Sequence, residues 1–259
     1  MDKFKNERIA LTLGDAGENH TGMELLGNFG SEGSGFTTNE LKNLKCHFEN
    51  SEYISFKINE NDAGVLIIRN YISENDQLLM YKELKKLEWN KKYFDIRRNK
   101  VLNKHARYNL MFIEGMEQVA DYKNKKGTII DSNKLKYFKK FKNDLCKKIN
   151  EYCNNKASDL IVEGNLYYDV TKCGIGFHGD SERRKVICLS LGADNYPIKW
   201  QWFYKNTIVG NSYEIFLNSG DVYIMSELAV GTNWKKSSIY TMRHAAGSNK
   251  YTSLAKYQK

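Results

Sequence analysis

Proline is almost missing, with Pro197 the single example in 259 residues. So little proline excludes a Pro-rich linker and argues against an array of modules strung on stiff spacers. Cysteine is sparse and odd in number: Cys46, Cys146, Cys153, Cys173 and Cys188, with no pair at C-x-x-C spacing. Neither a disulfide framework nor a zinc ribbon is indicated. No apolar run approaches the roughly 18 residues that a membrane helix needs. The opening Met-Asp-Lys-Phe-Lys has no signal-peptide apolar core. These absences predict a soluble protein of a reducing compartment, cytoplasmic or nuclear, with no membrane partner.

What remains is ordinary globular material. Hydrophobic residues make up 41% and charged residues 27%, and aromatics reach 13%, including 17 Tyr and 4 Trp. That is enough to fill a core and still line a pocket. The 40 Lys and Arg outnumber the 31 Asp and Glu, for a formal charge of +9. A basic balance favours polyanionic partners such as nucleic acid. It is equally the signature of lysine- and asparagine-rich coding in an AT-rich genome, such as that of a virus.

Hydrophobic patterning divides the chain. Residues 7 to 14 read as a short strand, and the glycine-rich stretch up to Gly35 as loop with one helical turn. Residues 37 to 49 follow an N-cap threonine with helical spacing. Residues 52 to 58 and 64 to 72 read as strands. A helix over 73 to 89 is capped by Ser73 and carries Leu79, Leu84 and Leu87 on one side. The basic, aromatic segment from Tyr93 to Phe112 is expected to be irregular or part hairpin. A second long helix covers 132 to 153, with Leu135, Phe138, Phe141, Leu145 and Ile149 at 3-4 spacing. From Leu160 onward short apolar runs recur between turn signals, ending in S-I-Y-T-M and Y-T-S-L-A-K-Y, with turns expected at Asn206 and Gly210-Asn211. This texture predicts an α+β protein with a C-terminal β-barrel core buttressed by N-terminal helices. The expected division is an N-terminal extension over 1–50 and one domain over 51–259, with a lid near 90–115 and the barrel near 160–259.

Within that region, G-I-G-F-H-G-D-S places His178 and Asp180 at H-x-D spacing. At a strand end, residues i and i+2 face the same side, so one imidazole and one carboxylate can reach one ion. His244 is the only histidine after His178 and closes an apolar run. Together the three make a 2-His-1-carboxylate set, which leaves open positions on a ferrous ion. H-x-D by itself arises often by chance.

Several short elements in order add context. Asn165-Leu166-Tyr167, His178-Gly179-Asp180, the strand Val186 to Gly192 ending in Ser-Leu-Gly, the turn Gly220-Asp221 and finally His244 resemble the double-stranded β-helix (jelly-roll) core of iron(II)/2-oxoglutarate-dependent dioxygenases, closest to the AlkB-like branch. The resemblance spans Gly164 to Lys259. It implies Fe(II) on His178, Asp180 and His244, with 2-oxoglutarate and O2 as co-substrates and Asn165 and Tyr167 beside the oxoglutarate. The reaction implied is hydroxylation or oxidative demethylation of a substrate C–H, coupled to conversion of 2-oxoglutarate to succinate and CO2. The chain departs from that branch at its end, where an Arg-x5-Arg pattern holds the co-substrate carboxylates. Here Lys250 and Lys256 keep the six-residue step. On a strand they would share a face, which makes Lys250 the expected carboxylate partner, Lys256 the alternative and Arg243 a third.

The substrate expected from the resemblance and the charge is a nucleic acid base. Arg97, Arg98, Lys104, Arg107 and Tyr108 interleave cations with an aromatic ring, as phosphate contact and base stacking require. Arg183 and Arg184 are expected at the pocket mouth. The competing class is a hydroxylase of a prolyl or lysyl side chain or of a small metabolite. A non-catalytic binding barrel is a third reading. His20, in the glycine-rich stretch, is a candidate for a residue that caps the pocket.

Overall fold

The computed structural model describes residues 6–258, so the opening pentapeptide lies outside the described residues. In chain order β1 (Arg8–Gly14) is followed by a hairpin of β2 (Ala16–Glu18) and β3 (Leu25–Gly27), helix α1 (Thr38–Lys45), and the hairpin β4 (Ser51–Ile58) and β5 (Asn61–Ile68). Helix α2 (Glu74–Lys85) leads to the hairpin β6 (Lys92–Asp95) and β7 (Lys100–Asn103), then β8 (Tyr108–Ile113), β9 (Ile129–Asp131) and helix α3 (Lys136–Asn150). The C-terminal part supplies β10 (Ile161–Tyr167), β11 (Gly174–His178), β12 (Val186–Gly192), β13 (Tyr196–Tyr204) and β14 (Thr207–Leu217). It closes with β15 (Val222–Met225), the short α4 (Glu227–Val230), β16 (Thr241–Gly247) and α5 (Asn249–Thr252).

Strand dominates. One sheet has eight strands in the order β4-β5-β15-β12-β1-β10-β8-β9, and a second has four in the order β11-β16-β13-β14. Strict alternation explains the layering. Along β1, Ile9, Leu11 and Leu13 face a core shared with Leu41 and Leu44 of α1, Met80 and Leu84 of α2, and Phe138, Phe141, Leu145 and Ile149 of α3. The alternate residues Arg8, Ala10 and Thr12 face the other way, toward the four-stranded sheet. There a second core joins Val65 and Ile67 of β5, Val186 and Cys188 of β12, and Ile198, Trp200 and Trp202 of β13. The large sheet is therefore covered on both faces, by helices on one and by strands on the other.

The helices start where their caps dictate. The Thr37 hydroxyl accepts from the Glu40 amide while the Glu40 carboxylate accepts from the Thr37 amide, a complete capping box. Ser73 caps α2 in the same sense. Helix α2 stops at Lys85 rather than 89 and buries Met80, Tyr81 and Leu84; of the expected Leu79, Leu84 and Leu87, Leu84 is in the core and Leu87 packs against it from beyond the helix end.

Other expectations are corrected. The glycine-rich stretch holds the β2–β3 hairpin rather than a helical turn. The segment expected as an N-terminal extension contributes β1, which lies between β12 and β10 inside the large sheet, so it is woven into the fold. Asn206 sits in the β13–β14 turn, with Lys205 and Asn206 both at positive φ, the conformation a two-residue hairpin loop of this twist demands. Gly210-Asn211 is not a turn. It is a bulge within β14, where the register steps from Trp202↔Val209 to Gln201↔Ser212. Finally, the run Y-T-S-L-A-K-Y is not a strand, because α5 and a 3-10 turn over Ala255–Tyr257 replace it.

Candidate metal centre

His178 ends β11 and lies opposite His244 in the middle of β16. The pairing of these strands shifts by one residue between Ile175 and His178. That bulge matters for the chemistry. Ile175 faces the cavity between the sheets, so plain alternation would turn Phe177 inward as well. Instead Phe177 packs on the opposite side against Phe203 and Ala245, and His178 is the residue swung inward. Gly179 is required next. A Cβ there would lie 2.1 Å from the Gly231 carbonyl oxygen. This close approach lets the Asp180 amide donate to the Val230 carbonyl at 3.0 Å, which pins the third residue of the set.

The three side chains converge. His178 Nε2 lies 3.3 Å, and His244 Nε2 3.7 Å, from the same oxygen of Asp180. One ligand atom from each residue falls within 4.8 Å of the others. Adjacent donors on an octahedral ion bound at about 2.1 Å are about 3 Å apart, so a small closure seats an ion. Protonation agrees. His178 Nδ1 faces two carbonyl oxygens, of Gly176 at 2.8 Å and of His244 at 3.1 Å. It therefore carries the proton and leaves the Nε2 lone pair free for a metal, the tautomer control that metal-ligating histidines need. Burial lowers the His244 pKa to about 3, so it stays neutral. Burial acts to raise the Asp180 carboxyl, but the adjacent Arg183 charge counters it, and the group is held well below the usual carboxylate range. Two neutral nitrogens and one ionised oxygen aimed at a common point fit a divalent ion.

Behind Asp180 stands Arg183, buried and ion-paired with Glu163 and with Glu182 at 2.9 Å, with its Nε 3.7 Å from Asp180. Arg183 thus forms a wall of the site, holding three carboxylates in register, rather than an open mouth. Arg184 points elsewhere. It pairs with Glu227 and donates to the Gly30 carbonyl in a separate depression.

The metal donors line a cavity of about 570 Å³ between the two sheets. Asn165 and Tyr167, on the inward face of β10, line it with them, as do Arg97 and Arg107. The Arg107 Nε donates to Asn165 Oδ1 at 2.6 Å. Lys104 is buried next door, beside Asn19 and Asn109, in a depression that shares Asn19, His20 and Arg107 with the main cavity. His20 lines both and stacks on Tyr93 with ring centroids 3.8 Å apart. Arg98 and Tyr108 do not line either space. Arg98 is exposed on the β6–β7 turn, and Tyr108 stacks on Tyr168 at 4.5 Å.

The expected carboxylate anchors fall outside. Lys250 lies on α5 over the Tyr251 ring and Lys256 on the 3-10 turn over Tyr257, neither lining the cavity. The cause is the loss of the last strand. Arg243 neighbours His244 on β16 and so points to the other face, where it stacks on Phe203 at 4.2 Å and bonds Asn206. Residues that line the cavity without having been singled out include Thr12, Glu163, Tyr223, Trp234 and Lys235. For Thr12 the nearest signal was the R-I-A-L-T-L alternation of β1, read only as a strand.

No protein-family model matches the chain. A protein of Acanthamoeba polyphaga mimivirus, "Uncharacterized protein R156", is 38% identical over 260 residues, covering 95% of this chain and 97% of the viral one. The chain belongs to that protein's family. The kinship runs through nearly the whole of both chains. The mimivirus protein's name carries no activity.

Proposed function

We propose that the protein is an iron(II)- and 2-oxoglutarate-dependent oxygenase that hydroxylates or oxidatively demethylates a C–H centre, with a nucleic acid base as the substrate class. The observation that carries the reading is the convergence of His178, Asp180 and His244 on one point inside a cavity between two sheets. The double-stranded β-helix is the finer reading of those sheets. It is supported by the antiparallel four-stranded sheet packed on the inner face of the large one.

Iron(II), with 2-oxoglutarate and O2, supplies oxidative decarboxylation to succinate and CO2 coupled to oxygen insertion. The chain supplies placement. His178 and His244 offer neutral nitrogens, and Asp180 offers the charge. Arg183 fixes Asp180 while Glu163 and Glu182 balance Arg183. Asn165 and Tyr167 present polar atoms to the space beside the donors, between the two sheets.

At the outer side, Arg97, Arg107 and Lys235 bring positive charge to the cavity, while Trp234 and the His20–Tyr93 stack bring aromatic surface. Cations for phosphate beside rings for a flipped base are what recognition of a nucleobase needs. The test is succinate release by iron-loaded protein with methylated and unmethylated oligonucleotides, scored by loss or hydroxylation of the base. Stoichiometric succinate with a modified base is expected. Succinate coupled only to a peptide or a small metabolite would move the substrate to that class, and none from any source would contradict the oxygenase reading.

A further inference from the structure

Next to the residues that line the cavity lies a buried cation with no acidic partner among the described residues. Arg8 faces inward from β1, one inward position beyond Ala10, which lines the cavity. Its side chain is 2% exposed. Among the described residues its hydrogen bonding amounts to one long contact, from Nη1 to the Leu217 carbonyl at 3.4 Å, and it has no acidic partner. The guanidinium lies over the Tyr196 ring at 4.4 Å. A buried charge left in this state is costly unless something pairs with it.

Its surroundings are equally unfinished. The Tyr196 hydroxyl and the Ser190 hydroxyl are buried without hydrogen-bond partners. Ser190 faces inward on β12 directly opposite Ala10, and Tyr196 faces inward on β13 two residues before Ile198, which lines the cavity. Tyr167 and Tyr223, whose phenols lie within electrostatic reach of Arg8, line the cavity too. Along β13 and β16 the rows run from His244 and Trp200, through Ala246 and Ile198, to Tyr196. The metal donors and the unpaired guanidinium therefore occupy two ends of one inward-facing surface, with orphaned hydroxyls at the cationic end.

Resting on the oxygenase reading above, we infer that Arg8, with Tyr196 and Ser190, binds the distal carboxylate of 2-oxoglutarate, the role expected of Lys250 and Lys256, which lie on α5 and the 3-10 turn rather than on the inward-facing strand surface. A guanidinium gives two parallel N–H donors to a carboxylate, and the two hydroxyls supply further donors that have no other use in the fold. The first strand of the chain, rather than its last, then sets co-substrate choice.

The experiment is an anaerobic titration of the iron(II)-loaded protein with 2-oxoglutarate and, separately, with pyruvate, which keeps the keto acid head and lacks the distal carboxylate. Binding is read by the visible band of the chelate and by calorimetry. The wild type is expected to favour 2-oxoglutarate strongly. Arg8→Gln should weaken 2-oxoglutarate by about 30-fold or more, since removing one partner of a desolvated charge pair has effects of that size, and leave pyruvate binding and iron content unchanged. Ligand-free Arg8→Gln should melt at or above the wild-type temperature, because it removes an unpaired buried charge. An Arg8 that merely holds the fold would lower it. Should Arg8→Gln fail to fold, Arg8→Lys keeps the charge, loses the fork, and should bind 2-oxoglutarate several-fold more weakly with pyruvate unaffected. Equal 2-oxoglutarate affinity in variant and wild type, or equal loss of both acids, overturns the assignment alone. A wild type that binds iron and neither acid overturns the oxygenase reading and this assignment with it.

Discussion

At the scale of single residues, the site is a balance of buried charges. Asp180, Glu163 and Glu182 share Arg183. Removing that guanidinium leaves buried carboxylates facing one another, and breaking such a network typically costs about 3–5 kcal/mol. Arg183→Met is thus expected to lower the chemical denaturation midpoint strongly even without metal; an unchanged midpoint would show that the pairs are relaxed in solution. Lys104 offers a pH test. Burial first, and then the Arg107 charge, lowers its pKa from 10.5 to about 7. The unfolded chain therefore holds a proton that the folded chain has released between about pH 7 and 10, so stability rises with pH across that window. Lys104→Met removes this contribution. Wild-type stability should gain on the variant's between pH 7 and 9, and parallel profiles would place Lys104 in a wetter setting.

At the scale of elements, what positions the metal donors is close backbone packing. Gly179 touches Gly231, whose φ of +75° is left-handed and whose Cβ would meet the Met242 carbonyl oxygen at 2.2 Å. Gly179→Ala should push the 178–180 segment away from α4 and weaken iron binding more than it lowers stability, measured by metal content against thermal midpoint. Loss of stability with full metal affinity would contradict this role. Much of the element map was legible in the sequence. Thr37 and Ser73 announced their helices because N-caps act locally, and Phe138, Phe141, Leu145 and Ile149 announced α3 because an apolar stripe has a period. The turn into α5 was not legible, because Y-T-S-L-A-K-Y has strand composition and only packing against β11 and β16 decides it. Nor was the β11 bulge that turns His178 inward. A register shift leaves no mark in one strand's sequence.

At the scale of the whole molecule, a helical layer, an eight-stranded sheet and a four-stranded sheet stack in that order with the cavity between the two sheets, and β1 faces both the helices and the cavity. Its apolar half, Ile9, Leu11 and Leu13, serves the helical core, so Leu11→Ala should cost about 2–5 kcal/mol by denaturant melt. Its polar half, Arg8, Ala10 and Thr12, was unreadable as a site. A strand with one polar face normally shows that face to water, and only the second sheet turns it into a pocket wall. The candidate metal-binding residues were legible for the opposite reason: H-x-D is a short-range signal, His244 is the only later histidine, and the structure brings all three together. Lys250 and Lys256 fall outside the cavity because the segment expected as the last strand folds as α5 and a 3-10 turn. The basic rim around Arg97 and Arg107 predicts oligonucleotide binding that weakens steeply with salt, read by anisotropy at low and physiological ionic strength. Salt-independent or undetectable binding at low salt would favour a peptide or metabolite substrate. The central claim has a more direct measurement, the anaerobic absorption spectrum of the protein with iron(II) and 2-oxoglutarate. One iron per chain and a weak visible charge-transfer band, both lost in His178→Ala, are the predicted result. A wild type without the band, or a His178→Ala variant that keeps its iron, would contradict it.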